Sequence, residues 1–318
     1  MLAARSRPHG RTPRSGYRKR VTTIGGILLV DKPDGMTSHD VVSRTRRLAA
    51  TRKVGHAGTL DPMATGLLVL GLNSATRLLT YVVGLDKEYL ATIRLGVSTT
   101  TDDREGETID TAPDGLIDQL DLSRVDAKIL DLTGTIDQVP STVSAIKVGG
   151  KRAYALVRAG ETVELASRAV TVSEFEVLGR RRLPGFLDLD VRVVCSSGTY
   201  IRALARDLGA SLAVFGHLTA LRRTRIGPFR VTDAHALDEL VVAAALLDPA
   251  AVAGQLFESV HLDEQASIDL GHGKRIALAH PDGGPIAALA PSGRLIGLVD
   301  VVGGVGRSLV NFPPEDTP

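Results

Sequence analysis

The run Gly55-His56-Ala57-Gly58-Thr59-Leu60-Asp61-Pro62-Met63-Ala64-Thr65-Gly66 is the first place where this chain can do chemistry. It sets one carboxylate, Asp61, among three glycines, two threonines and a proline. Glycine weakens helix and strand interiors alike, and Pro62 removes a backbone donor, so the segment reads as a tight presenting turn. The residue before a proline is biased away from the helical region, which holds Asp61 on extended backbone. Two readings follow. The plain one makes Asp61 the cap of a helix starting near Ala64. The chemical one has the turn present the carboxylate to a ligand that the glycines let approach closely.

The elements that must position such a carboxylate are legible in outline. Residues 27–30 are a short apolar run suited to a buried strand, and 31–35 form a turn. Thr37 or Ser38 can cap a helix over 40–50. Residues 75–83 read as helical and 88–95 as a strand. Residues 169–178 and 187–195 are two further β runs. A helix over 200–212 follows, with Arg202 and Arg206 four apart on one face. The first part of 102–131 holds Asp102, Asp103, Glu105, Glu107 and Asp110. It reads as an exposed loop and not a metal site, because it lacks the spacing and glycine of a calcium loop. From Phe257 the chain turns to short β-like runs at 286–290, 295–302 and 308–312 between Gly/Pro turns, a pattern that fits many small barrels. Gly303-Gly304-Val305-Gly306 lacks the strand–loop–helix context of a dinucleotide fingerprint.

Composition narrows the partner class. The 318 residues are 43% hydrophobic and 23% charged, ordinary for a globular chain with one large domain and one small one. The single Cys195 excludes an internal disulfide and a cysteine-based zinc site, and it fits a reducing cytoplasm. No apolar run reaches the roughly 18 residues of a membrane span, and the N-terminus has no apolar segment of a secretory signal. The formal net charge of +2 hides an asymmetry: residues 1–20 carry seven cations and no acid, leaving the rest five charges negative. That tail is Arg/Gly/Ser/Pro-rich and reads as disordered. Elsewhere Arg44, Arg46, Arg47, Arg52 and Lys53 cluster before the Asp61 loop. Arg202, Arg206, Arg222, Arg223, Arg225 and Arg230 cluster beside the later motifs. Local positive fields around one carboxylate point to a polyanionic substrate, with solvated helix faces as the other reading.

The residues carry a resemblance as well. The Asp61 loop is similar to the signature of the TruB family of RNA pseudouridine synthases. The segment 26–33 with Gly35, Thr37 and Ser38 resembles that family's opening motif. Lys87-Glu88-Tyr89 with Leu95-Gly96 resembles its tyrosine motif, Ser196 to Arg202 its arginine motif, and Leu221-Arg222-Arg223 its leucine–arginine motif. These run in family order over about residues 24–229.

The resemblance implies an α/β (α+β) fold: a pseudouridine synthase catalytic domain with a mixed, largely antiparallel sheet over 21–255, and a small PUA-like β domain over 256–318. Within the first lies a mobile RNA-binding insertion over 137–164. It implies Asp61, Tyr89 and Arg202 as catalytic residues: the nucleophile, the aromatic that stacks on the base and moves the C5 proton, and the cation that keeps the buried carboxylate ionised. It implies substrate contacts from His56, Arg77, Tyr200, Leu221, Lys147, Lys151 and Arg152. Here Val143-Ser144-Ala145 departs from the family's pattern, which has an aromatic before Ser-Ala. Asp31-Lys32-Pro33 reads as a structural turn bracing the loop, with phosphate contact by Lys32 as the other reading.

The implied reaction converts uridine-55 in the tRNA T-loop to pseudouridine on a flipped base. It needs no metal and no cofactor, since nothing is oxidised or hydrolysed. The expected partner is a T-arm stem-loop, with no guide RNA and no membrane, for a monomer in the cytoplasm. Two rivals stand beside it: a guide-dependent synthase with the same loop, and a tRNA-binding or folding protein that has lost the chemistry.

Overall fold

In the computed structural model, residues 25–141, 147–148, 151–152 and 165–313 are described. The basic tail, the Val143-Ser144-Ala145 departure and the side chains of Lys147, Lys151 and Arg152 lie outside the described residues.

The chain opens with β1 (Gly26–Lys32), whose apolar run is buried on both faces. α1 (Ser38–Leu48) begins at Thr37, whose hydroxyl accepts from the Asp40 backbone while the Asp40 carboxylate accepts from the Thr37 N–H. This reciprocal cap fixes the helix start chosen from the Thr-Ser pair. β2 (Val54–Ala57) and β3 (Thr65–Leu72) flank the Asp61 loop. A 3₁₀ turn (Asn73–Leu78) and α2 (Leu79–Val83) lead into β4 (Lys87–Leu95). Two short strands, β5 (Val97–Thr99) and β6 (Thr108–Thr111), then α3 (Leu122–Asp131) and β7 (Gly134–Gln138) follow. β8 (Lys147–Val148) and β9 (Lys151–Arg152) pair with each other. The long β10 (Arg168–Leu183) and β11 (Phe186–Cys195) form a hairpin, α4 (Ile201–Leu212) crosses the sheet, and β12 (Gly216–Ile226) returns to it.

One ten-stranded sheet organises these strands, in the order β14-β1-β3-β12-β4-β11-β10-β7 with β2 and β13 at its side, where β13 is Phe229–Arg230 and β14 His235–Ala236. It is mixed: β1 with β14 and β3 with β12 run parallel, and its other pairs antiparallel. The helix near Ala64 that the plain reading of Asp61 requires is not there. Thr65–Leu72 is a strand buried along almost its whole length, so its apolar run lacks the alternation that separates strand from helix.

The position of the sheet's strands decides where the loop goes. β3 pairs with β12 only at Thr65 and Gly66, then with β2 from Val69 to Leu72. The Asp61 loop hangs at this change of neighbour. Ahead of it, Tyr89, Ala91, Ile93 and Leu95 on one face of β4 pack with Ile201, Leu204, Leu208 and Leu212 of α4 in the main core.

After β14 come two short helices, α5 (Val242–Ala245) and α6 (Pro249–Leu256). A second, five-stranded sheet then orders β15-β17-β18-β19-β16. Its strands are β15 (Ser259–His261), β16 (Ile276–Ala277), β17 (Gly283–Leu289), β18 (Leu295–Val302) and β19 (Val305–Asn311), with α7 (Glu264–Gly271) against it. It keeps a small core of its own and shares a second one, since Ala287, Leu295, Leu298 and Phe312 pack with Ile27, Leu67, Val69 and Phe229. Among the described residues no helix is long and apolar enough to cross a membrane.

Candidate active site

The loop that carries Asp61 is fastened residue by residue. Arg223 donates through Nη2 to the Gly58 carbonyl at 3.0 Å, and through Nε to Leu67 O at 2.9 Å. The Ser38 hydroxyl accepts from Leu60 N at 2.9 Å and donates to Leu60 O. The Pro62 carbonyl takes the Gly35 N–H and the Lys32 ammonium, both at 3.0 Å. Lys32 also donates to the carbonyls of Pro33 and Met36 and is fully buried. Burial drives its pKa down to about 8. The structural reading of Asp31-Lys32-Pro33 therefore describes what Lys32 does here: its ammonium is spent on backbone, out of reach of a phosphate.

Held this way, Asp61 meets Arg202 side by side. Arg202 Nε lies 2.9 Å from Asp61 Oδ2, and Nη2 donates to Oδ1 at 3.2 Å. This is the bidentate fork that a carboxylate and guanidinium favour. The arginine is 4% exposed, whereas the Asp61 side chain keeps 36% exposure on its pocket side. Behind Arg202, Nη1 donates to the Thr101 carbonyl at 2.7 Å and sits 3.6 Å from Asp103 Oδ2. Removal from water raises the Asp61 pKa above the ordinary carboxylate range, the Arg202 charge opposes this, and the nearby Asp103 adds to it.

Asp61 and Arg202 open into a cavity of about 240 Å³, also lined by Tyr89, Tyr200, Leu221, Lys87 and Arg223. Tyr89 is nearly buried, and its phenol pKa is raised by burial against the opposing pull of the nearby Arg223 charge. Tyr200 is clamped by the buried Gln138, whose amide accepts from Tyr200 N at 2.8 Å and donates to Tyr200 O at 3.1 Å. The Arg168 guanidinium lies 5.0 Å over its ring.

The structure thus gathers Asp61, Tyr89, Arg202, Tyr200 and Leu221 around one cavity. His56 and Arg77 lie outside this cavity. His56 lies on β2 with its ring edge-on to His39 at 5.8 Å, and Arg77 donates to the Asn311 carbonyl on the second sheet. Arg77 therefore ties the two sheets together through this bond.

Three residues were missed. Lys87 stands inside a motif segment with no role of its own in the sequence, Arg223 enters there only as one of a cationic cluster, and composition makes Asp103 part of an exposed acidic loop. Asp103 is 2% exposed and takes bonds from the Thr101 hydroxyl and Glu105 N. The later arginine cluster is also less of a free field than its composition suggested. Arg222 pairs with Asp31 at 2.6 Å, Arg225 with Asp86 at 2.7 Å and Arg206 with Asp102 at 3.3 Å.

Comparison with known proteins decides the family. A tRNA pseudouridine synthase B of Leifsonia xyli subsp. xyli is 62% identical over 92% of this chain and 97% of its own length. The chain belongs to the TruB family. Residues 46–201 match the family model for the TruB family pseudouridylate synthase N-terminal domain. Residues 202–261 match the tRNA pseudouridylate synthase B C-terminal domain, and 257–313 the C terminus of tRNA pseudouridine synthase II. A second TruB relative, from Thermobifida fusca, is 53% identical over 90% of this chain and 98% of its length. Among solved structures, the H/ACA RNP bound to a substrate RNA containing 2′-deoxyuridine has a chain that aligns with TM-score 0.68. Its identity is 23%, over 93% of this chain and 88% of its own. A chain of a Cbf5-Nop10-Gar1 complex aligns with the same TM-score at 24% identity, over 93% and 87%. These two likenesses establish the fold alone. The chain is thus an enzyme of a pseudouridine-forming family with a mixed α/β core.

Proposed function

We propose that this chain converts uridine-55 in the T-loop of tRNA to pseudouridine, unaided by a guide RNA, with Asp61 as its nucleophile. The observation that carries the reading is the Asp61–Arg202 fork, which opens onto a cavity walled by Tyr89, Tyr200 and Leu221. The relatives' names, tRNA pseudouridine synthase B, support the substrate class.

The geometry suits each step. A uridine flipped from its loop enters the cavity, and protein contacts replace the stacking it loses. An Asp61 oxygen forms a bond to ribose C1′ or to uracil C6. The N1–C1′ bond breaks, the uracil turns, and C5 joins C1′ as the carboxylate leaves. The C5 proton is then removed, and N1 ends protonated, so the atoms balance as an isomerisation. Arg202 keeps the attacking carboxylate ionised, and Tyr89, buried beside the base, is placed to take the C5 proton. Tyr200 and Leu221 wall the base. His56, Lys147, Lys151 and Arg152 are proposed to hold the RNA outside the cavity, and Arg77 to support the protein surface that receives it.

The test is tritium release from a T-arm hairpin carrying [5-³H]uridine, with no guide RNA and no cofactor added. Release by the wild type and none by Asp61→Asn, which still binds the hairpin, is expected. No release by the wild type would overturn the guide-independent reading, and release by Asp61→Asn would remove Asp61 from the mechanism.

A further inference from the structure

Whichever carbon Asp61 attacks, the same atoms receive the charge. Attack at C1′ sends the N1–C1′ electron pair into the uracil, which leaves as an anion delocalised over its carbonyl oxygens. Attack at C6 pushes the C5–C6 π pair toward O4. Either way the base, not the ribose, becomes negative, and this inference rests on the isomerase reading above. Arg202 is poorly placed to meet that charge, since Asp61 and Asp103 both already face it.

Two other cations line the cavity and make no ion pair among the described residues: Lys87 at the start of β4 and Arg223 on β12. Both are nearly out of water, at 5% and 1% exposure. Their hydrogen bonds go to neutral groups. Lys87 donates to the carbonyls of Val83 and Leu85, and Arg223 to those of Gly58 and Leu67. The two meet behind the nucleophile loop. A β-carbon added at Gly58, three residues before Asp61, would lie 3.3 Å from Arg223 Nη1 and 3.7 Å from Lys87 Cε. Buried charges normally come with counter-ions, because an uncompensated one is costly. Two unpaired cations in one cavity are a device for an anion that appears only during reaction.

We propose that Lys87 and Arg223 are catalytic residues that stabilise the negative charge developing on the uracil ring as Asp61 attacks. The acid–base state of Lys87 is consistent with this. Burial, with Arg223 on β12 adding to it, lowers the Lys87 pKa to about 8, against the smaller pull of the Cys195 thiol on β11 and of Asp86 in the preceding loop. The Asp86 carboxylate is itself taken by Arg225.

The experiment compares single-turnover consumption of the target nucleotide in saturating T-arm hairpins carrying uridine or 5-fluorouridine, followed by mass spectrometry of nuclease digests. Fluorine withdraws electrons, so its uracil bears negative charge more easily and needs less help. Lys87→Met should slow the uridine hairpin by about 100-fold, the scale of losing one preorganised donor to a developing anion, with hairpin affinity unchanged. The fluorouridine hairpin should be slowed clearly less. Equal slowing on both, or slowing that tracks weakened RNA binding, would overturn the proposal and make Lys87 a brace for the end of α2.

If Lys87→Met does not fold, Lys87→Arg decides by its pH profile. The wild-type rate should fall above about pH 8 as the ammonium is lost, whereas the arginine variant, never deprotonated in this range, keeps its rate further into alkali. Coincident alkaline limbs would overturn the proposal. An inactive wild type would instead overturn the isomerase reading, a different result from an active wild type with equal penalties.

Discussion

At the scale of residues, the site sets two carboxylates around one guanidinium. Arg202 has Asp61 on one edge and Asp103 behind it, so Asp103 acts on the Asp61 carboxylate with opposite sign to the arginine. In the proposed mechanism Asp61 attacks only when ionised, and burial raises its pKa above the usual carboxylate value. The single-turnover rate should therefore fall as pH drops through that raised value. Arg202→Met removes the charge that favours the ionised form, so the acid limb should move to higher pH. Asp103→Asn removes a like charge that disfavours it, so the limb should move to lower pH. The plateau of Asp103→Asn should also fall by about 10- to 100-fold, because Arg202 loses its backing and a small misplacement is costly. A pH–rate series on the two variants checks this; limbs shifting the same way would refute the assignment of signs. Asp103 also marks what composition hides. An acid-rich stretch reads as solvated surface, and nothing in its own sequence says that an arginine 99 positions downstream, Arg202, will draw one carboxylate inward.

At the scale of elements, strand order carries the chemistry. The Asp61 loop, Tyr89 on β4 and Arg223 on β12 meet because β3 runs beside β12 for only two residues before pairing with β2. Gly66 is the joint. Its φ of +98° suits glycine, and a β-carbon there would lie 2.2 Å from the Arg223 carbonyl oxygen and 2.9 Å from Arg223 N. Neither atom can yield without moving β12. Gly66→Ala should cost about 1–3 kcal/mol from the strained conformation, with more from the forced separation of strands. It should also cut activity, since Arg223 leaves the cavity wall. Thermal unfolding together with the single-turnover rate tests it; a variant of wild-type stability and rate would show that the strands can part freely. The sequence pointed to Gly66 only as loop glycine. The motifs, with the short apolar runs at 27–30 and 88–95, revealed the strands that hold the site. The parallel contact of β3 with β12, which brings residues 157 apart into register, had no local signal. The helix near Ala64 in the plain reading of Asp61 fails for the same reason: a strand buried on both faces loses its alternation.

At the scale of the whole molecule, the second sheet is not an appendage on a linker. Phe312, near its last strand, is 5% exposed and sits in one core with Ile27, Leu67, Val69 and Phe229 of the large sheet. Arg77 adds a hydrogen bond across the same seam to the Asn311 carbonyl. The strands β17, β18 and β19 were legible as short apolar runs between turns. Their shared core was not, because apolar residues do not announce which sheet they will face. The seam has a consequence for stability. β3 supplies this core through Leu67 and Val69 and also flanks the Asp61 loop, so loosening the second sheet exposes apolar surface on the strand that carries the loop. Phe312→Ala should destabilise the chain by about 3–5 kcal/mol, the usual range for emptying a buried phenylalanine site. The loss should appear as one shifted transition and not as early melting of the second sheet alone. Scanning calorimetry distinguishes the cases: equal calorimetric and van't Hoff enthalpies mark one cooperative unit. A separate low-temperature transition in the variant, with catalytic activity surviving it, would mean that the seam packs the sheets together without coupling their unfolding. The site would then rest on the large sheet alone.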